Sequence, residues 1–233
     1  MILGHYGVAL AAKRVAPATS LATLAFAAQW LDELWPILLL LGVERARVVP
    51  GLMPANQIEF VHYPYSHSLL AAVLWGALLG AAYYARRGYR TGALTVGVMV
   101  LSHWLLDAPM HGPDLPLWPG SEILIGGGLW NFVALTVLVD GGVFIAGLLV
   151  YLRSTRARDR VGSWGLWAMV GLLVAILASG VAGPPPESDR ALAVTALGLW
   201  LFVPWSAWVD RHREPSTVAP GSASALGATH GSR

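Results

Sequence analysis

Five side chains in this sequence have the types and spacing of a metal site: His67, His103, Asp107, His111 and Asp32. The densest segment is Ser102-His103-Trp104-Leu105-Leu106-Asp107-Ala108-Pro109-Met110-His111. His103 and Asp107 are four residues apart, so on a helix they project from one face with their Cβ atoms roughly 6 Å apart. Asp107 and His111 repeat that spacing if the helix survives Pro109. Imidazole plus carboxylate is a ligand set for zinc or a similar divalent ion. The flanking stretch, Thr91 to Leu106, is otherwise apolar. An ionisable group at the centre of a membrane helix costs about 2.5–3.5 kcal/mol on insertion scales, so such groups tend to have a partner and a function.

The elements that must position these residues are membrane spans. The chain has 233 residues, 56% hydrophobic and 12% charged, which is the composition of a polytopic membrane protein. A formal charge of +2 with no dense Lys/Arg run gives no support for nucleic-acid binding. There is no cysteine, so neither disulfides nor thiolate ligands enter the argument. Met1-Ile2-Leu3-Gly4-His5 lacks the basic start of a cleaved signal peptide.

A span needs about 20 mostly apolar residues. Ser66 to Ala85, Thr91 to Ala108, Leu129 to Tyr151, Trp164 to Gly183 and Ala191 to Val209 meet that requirement. Thr19 to Gly42 is apolar but carries Asp32, Glu33 and Pro36, and reads as a sixth span broken at the proline. The fold expected is an all-α bundle of about six spans, the first one broken. Residues 1–213 form one domain, with the site in residues 1–120 and a scaffold in 121–213. The tail, 214–233, is Pro-, Ser-, Ala- and Gly-rich and expected to be disordered. Residues 43–65 and 109–128 read as loops. Gly126-Gly127-Gly128 lacks the strand–turn–helix setting of a phosphate cradle.

Orientation follows the short-loop Lys/Arg bias. Lys13 and Arg14, then Arg86, Arg87 and Arg90, then Arg153 to Arg160, then Arg211 and Arg213 all fall on one side of a six-span bundle, with Arg45 and Arg47 on the other. The expectation is an inner-membrane protein with both termini cytoplasmic. His67, at the start of one span, and His103 and Asp107, at the end of the next, then share the non-cytoplasmic face. His5 precedes Lys13, and reaches that face only if residues 1–18 re-enter the membrane. Trp35, Trp104, Trp118 and Tyr65 suit an interfacial belt.

Each candidate has a plainer reading. His67 follows Ser66, a fair helix cap. Asp32 can pair with Arg45 or Arg47, and Glu33 competes with it for the same role. Asp114 and His111 can be solvated loop groups, and His62 a loop histidine beside Pro64. Asp140 lies mid-span, where it is protonated or paired with polar groups across helices. His212 and His230 read as surface residues.

Taken in order, Leu3-Gly4-His5-Tyr6-Gly7, Gln29-Trp30-Leu31-Asp32, His62-Tyr63-Pro64-Tyr65-Ser66-His67-Ser68 and His103-x3-Asp107 resemble the bacterial membrane-bound metal-dependent hydrolases of the YdjM type, over about residues 1–120. That family is distantly similar to zinc-dependent phospholipase C. The resemblance implies Asp32, His67, His103 and Asp107 as ligands of one metal, Asp107 as the carboxylate bridging to a second, and His5 on that second ion. His62 matches the first histidine of the family's His-Arg-x2-Thr-His-Ser element and would join Asp107 in catalysis. Tyr63 stands where the family often has Arg, and Ser66 where it often has Thr. The function implied is hydrolysis of a phosphoester or lipid-like substrate by water activated on one or two divalent ions, zinc above all. The competing class is a membrane protein with a structural metal site, or a divalent-cation carrier.

Overall fold

A computed structural model describes residues 1–216. The chain begins with α1, Leu3–Val15, whose 13 residues cover about 20 Å, short of the roughly 30 Å hydrocarbon core. It does not cross; it lies inside the bundle, with Leu3, Tyr6, Ala9 and Leu10 all buried. At its far end the Lys13 Nζ donates to the Thr19 carbonyl at 2.9 Å and pairs with Asp210 at 2.8 Å.

The next helix, α2, spans Leu21–Leu40 and is capped by Ser20, whose hydroxyl accepts the Thr23 N–H. The break expected at Pro36 is absent: the proline sits inside a continuous helix. Proline removes one donor and crowds one carbonyl, and here the cost is carried within the last turns of the helix.

Residues 43–65 are not the expected plain loop. They form an antiparallel hairpin, β1 (Arg45–Met53) and β2 (Asn56–His62), followed by the short helix α3 (Pro64–His67). Phe60 of β2 lies among Trp35, Tyr63, His111 and Trp130, with ring centroids 4.8–5.9 Å away.

Among the described residues, five helical runs are long and apolar enough to cross a membrane. They are α4 (Leu69–Arg87), α5 (Arg90–Met110), α6 (Val133–Ser154), α7 (Arg160–Ala182) and the run Asp189–Arg211. That last run is α8 (Asp189–Ala196) and α9 (Phe202–Arg211), joined by a 3-10 turn at Leu197–Leu201. With α2, which carries Asp32 and Glu33, they make the polytopic helical bundle read from the sequence. Ser68, Asp159 and Ser188 cap α4, α7 and α8, and Gly88, with φ at 61°, ends α4.

Short strand pairs close the ends. β3 (Leu115–Pro116) pairs with β4 (Leu124–Ile125) in the loop after α5. β5 (Thr155–Ala157) pairs with β6 (Arg213–Pro215), so the start of the segment expected to be a tail is in register with a strand. Residues 217–233, the rest of that expected tail, lie outside the described residues.

Candidate metal centre

Asp107 is the hub. It sits near the end of α5, is 1% exposed, and its two carboxylate oxygens face different partners. Oδ2 is 3.2 Å from His103 Nε2, 3.8 Å from His111 Nε2 and 4.0 Å from His67 Nε2. Oδ1 is 3.2 Å from His5 Nε2 and also receives the α-amino group of Met1. Pro109 does not end α5 early: the helix continues to Met110, and the His111 N–H still donates to the Asp107 carbonyl at 2.9 Å.

Asp32 comes from α2. Its Oδ1 is 3.4 Å from His67 Nε2 and 3.7 Å from His103 Nε2. Neither Arg45 nor Arg47 is its partner; Arg47 pairs instead with Glu59 of β2 at 3.5 Å. Asp32 is also the cluster's opening. Its side chain is 21% exposed, whereas those of His5, His67, His103, Asp107 and His111 are at most 3% exposed.

The outer hydrogen bonds of three histidines assign their protons. His103 Nδ1 is 2.8 Å from the Ala28 carbonyl, which only accepts, so Nδ1 carries the hydrogen. His67 Nδ1 is 2.7 Å from Ser66 Oγ, and Ser66 Oγ donates to Glu44 Oε2 at 2.7 Å. The hydroxyl proton is committed to the carboxylate, so His67 Nδ1–H donates to the hydroxyl. His111 Nδ1 donates to Asp114 Oδ1 at 2.9 Å, and the Tyr63 hydroxyl donates to the same oxygen at 2.7 Å. Burial holds His111 below its ordinary pKa. In its neutral form each of the three imidazoles, held by its Nδ1–H, presents Nε2 as a lone pair toward Asp107 Oδ2.

Lone pairs facing a buried carboxylate repel unless a cation stands between them. Among the described residues, His103 Nε2 and both nitrogens of His5 have no hydrogen-bond partner, although they are fully buried. The two rings stack at 3.7 Å with 9° between their planes, so two imidazolium charges there would oppose each other. Zinc bonds of 2.0–2.1 Å in a tetrahedron place neighbouring ligand atoms about 3.3–3.4 Å apart. Four of the distances in the cluster, Asp32 Oδ1 to His67 and His103 Nε2 and Asp107 Oδ2 to the same two nitrogens, run from 3.2 to 4.0 Å, the shorter ones near that edge. Two ligand groups share His103: His5, His103 and Asp107, and Asp32, His67 and His103. Each of these three-residue groups has the donor chemistry and spacing to hold one divalent ion.

His62 is not brought into the cluster. It ends β2, its ring lies against Tyr65 at 6.2 Å, and it makes no side-chain hydrogen bond or ion pair among the described residues. Its offset of five from His67 spans the strand end and the turn into α3, which aim the two side chains differently. Glu33 is also separate. It is fully buried, and neither carboxyl oxygen has a hydrogen-bond partner among the described residues.

One contributor lay beyond the sequence reading, and a second was read there only as a mid-span carboxylate. Glu44, in the loop after α2, accepts the Tyr65 and Ser66 N–H groups at 2.8 Å and the Ser66 hydroxyl, which locks α3. Nothing in its local sequence points to Ser66. Asp140 of α6 accepts the Gly4 N–H at 2.6 Å; its mid-span position was the available signal. Asp114, weighed as a solvated loop group, instead holds His111.

The fold and this cluster define a polytopic helical membrane protein with a buried His–Asp centre between its first helices. The family model described as YdjM inner membrane protein matches residues 1–184, and the chain belongs to that family of integral inner-membrane proteins. The match extends well past the 120 residues that carry the short motifs. No curated protein and no solved structure matches the chain significantly.

Proposed function

We propose that this protein is a membrane-embedded metal-dependent hydrolase, with one or two divalent ions of the zinc class as its cofactor and a phosphoester or lipid-like compound as substrate. The observation that carries the reading is the convergence of three Nδ1-anchored imidazoles on Asp107 Oδ2. Histidine ligands held from behind by a carbonyl or carboxylate are the usual outer shell of a metal site. Asp32, His67, His103 and Asp107 would hold the first ion, and Asp107 Oδ1 and His5 would face the second. Bound zinc supplies a Lewis acid and a water that ionises near neutrality.

The chain's own residues do the rest. Glu44, Ser66, Ala28 and Asp114 keep the histidines in the right tautomer. Phe60, Trp35 and Trp130 exclude water from one side. Asp32, the most exposed member, marks the side from which substrate would enter. The arginines of α4, α5, α6 and α9 lie at the opposite end of the bundle, which supports placing the centre at the non-cytoplasmic face. Met1 lies with the centre while Lys13 pairs with Asp210 at the arginine end, so α1 runs with its first turn toward that face, and in this reading the N-terminus departs from the cytoplasmic placement expected from the sequence.

A second reading has its own observation. Five of the six cluster side chains are almost fully buried, as in a closed structural metal site that staples α1, α2, α3 and α5 together. Reconstitution of the metal-free protein with zinc, assayed against a chromogenic phosphodiester in lipid nanodiscs, separates the two. Zinc-dependent turnover that Asp107→Asn abolishes supports the hydrolase. Zinc-dependent thermal stability without turnover against soluble or lipid phosphoesters supports the staple.

A further inference from the structure

A buried carboxylate from the second half of the chain reaches the first turn of α1, the helix that carries His5. Asp140 lies about two turns into α6, is 2% exposed, and has no cationic side chain within ion-pair distance among the described residues. A carboxylate at that depth needs compensation. It finds it at the start of α1, where its Oδ1 accepts the Gly4 N–H at 2.6 Å. The first N–H groups of a helix have no partner within the helix, and the helix dipole places partial positive charge there. Ile2, at the cap position of α1, offers no side-chain acceptor. Asp140 is thus the cap of α1, supplied from another helix.

The cap stands at one end of a close seam. Asp140, Phe144 and Gly147 share a face of α6, at spacings of four and three. Gly4 and Gly7 share a face of α1. A Cβ at Gly7 would meet the Phe144 backbone at 2.6 Å, and one at Gly147 would run into the Gly7 carbonyl. The helices therefore touch backbone to backbone, and α1 has little freedom to slide or turn. His5 follows Gly4 directly, and its Nε2 lies 3.2 Å from Asp107 Oδ1.

We propose that Asp140 is a positioning residue of the centre: by accepting the Gly4 N–H it fixes the first turn of α1, and through it holds the His5 imidazole against Asp107. The consequence for metal rests on the hydrolase reading above; the placement of His5 does not. The role needs an acceptor oxygen rather than a charge. Asp140→Asn keeps an oxygen at the same place, and Asp140→Ala removes it.

The test uses the full-length protein in nanodiscs. In the metal-free protein, NMR reads amide exchange at Gly4 and the imidazole signals of His5. Asp140→Ala is expected to speed exchange at Gly4 by about tenfold, the loss of one hydrogen bond, and to shift His5. Asp140→Asn is expected to leave both close to wild type. In the same set, Asp140→Ala should weaken zinc retention by about 10–100-fold, the range for outer-shell partners, and Asp140→Asn should restore it. Unchanged exchange and an unchanged His5 signal in Asp140→Ala would overturn the proposal. So would an Asn variant as disturbed as the Ala variant, since that points to the charge and not the hydrogen bond. If the exchange and His5 results hold while wild-type protein retains no metal, the positioning role stands and the hydrolase reading fails.

Discussion

His103 and Asp107 stand one turn apart on α5 with His103 Nε2 3.2 Å from Asp107 Oδ2, while His103 Nδ1 donates to the Ala28 carbonyl 2.8 Å away on α2. That second bond gives the pair its chemical meaning. A carbonyl cannot donate, so the ring's one neutral-state hydrogen is spent on α2 and its lone pair is turned to a carboxylate. Spacing alone makes an ordinary helical pair; the anchor on α2 fixes which ring nitrogen faces the carboxylate.

Asp107→Asn keeps the side-chain shape and removes the charge that the histidine lone pairs surround. The variant should insert and migrate as wild type does, yet lose both metal and any hydrolysis. Retention of full metal occupancy in purified Asp107→Asn would reduce Asp107 to an interfacial helix-end residue.

Glu44→Ala should weaken metal binding by about 10–100-fold without touching a ligand, because Glu44 acts only through Ser66 and the α3 backbone. Titration of the metal-free variant with zinc reads the effect. Glu44→Gln should fall between the two, since its amide keeps one acceptor oxygen but loses charge. An affinity equal to wild type in Glu44→Ala would mean that His67 is held without Ser66.

Gly147→Val should destabilise the bundle by about 1–3 kcal/mol or more, because the added side chain has no space against the Gly7 backbone. Gly141→Val is the matched control: nothing lies within 4 Å of a Cβ there. Thermal unfolding in one detergent compares them. Equal loss in the two variants would contradict the close α1–α6 seam.

How much of this centre could be read from the sequence depends on whether a local rule reached each residue. His103 and Asp107 were legible because helical spacing fixes their shared face, and His67 because a span begins beside it. The bundle was legible because long apolar runs in lipid leave few other backbone arrangements. The hairpin at 45–62 was not, because Pro50, Gly51 and mixed polarity hide any period of two. The helix across Pro36 was not, because the penalty for an internal proline is absorbed by surrounding packing that no local pattern records. His5 was placed doubtfully because Lys13 and Arg14 assign the residues before α2 to the cytoplasmic side, and no local pattern records that α1 lies inside the bundle. Glu44 and Asp140 act on backbone N–H groups of distant segments, and such contacts leave no spacing to find.

Away from the membrane, the Asp159 carboxylate caps α7 and accepts from His212 Nδ1 at 2.6 Å. The His212 hydrogen bond, then the Gly162 N–H, hold its pKa below the ordinary carboxylate value. A depressed folded-state pKa gives stability that is present above the unfolded-state value and is lost as pH falls through the folded one. The thermal midpoint of wild type should therefore exceed that of Asp159→Asn at neutral pH, and the gap should close in acid below the carboxylate range. A gap that widens as pH falls would contradict the assignment.

The central claim is that the His–Asp cluster binds a divalent ion, and elemental analysis of purified protein tests it most directly. Wild type and His103→Ala are purified side by side in detergent, dialysed without chelator and analysed for zinc, manganese, iron, nickel and cobalt. The account predicts one to two equivalents of divalent metal per wild-type chain and a near-complete loss in His103→Ala, with both proteins folded by circular dichroism. Equal metal content in the two, or none in wild type after growth and refilling with excess zinc, would contradict it.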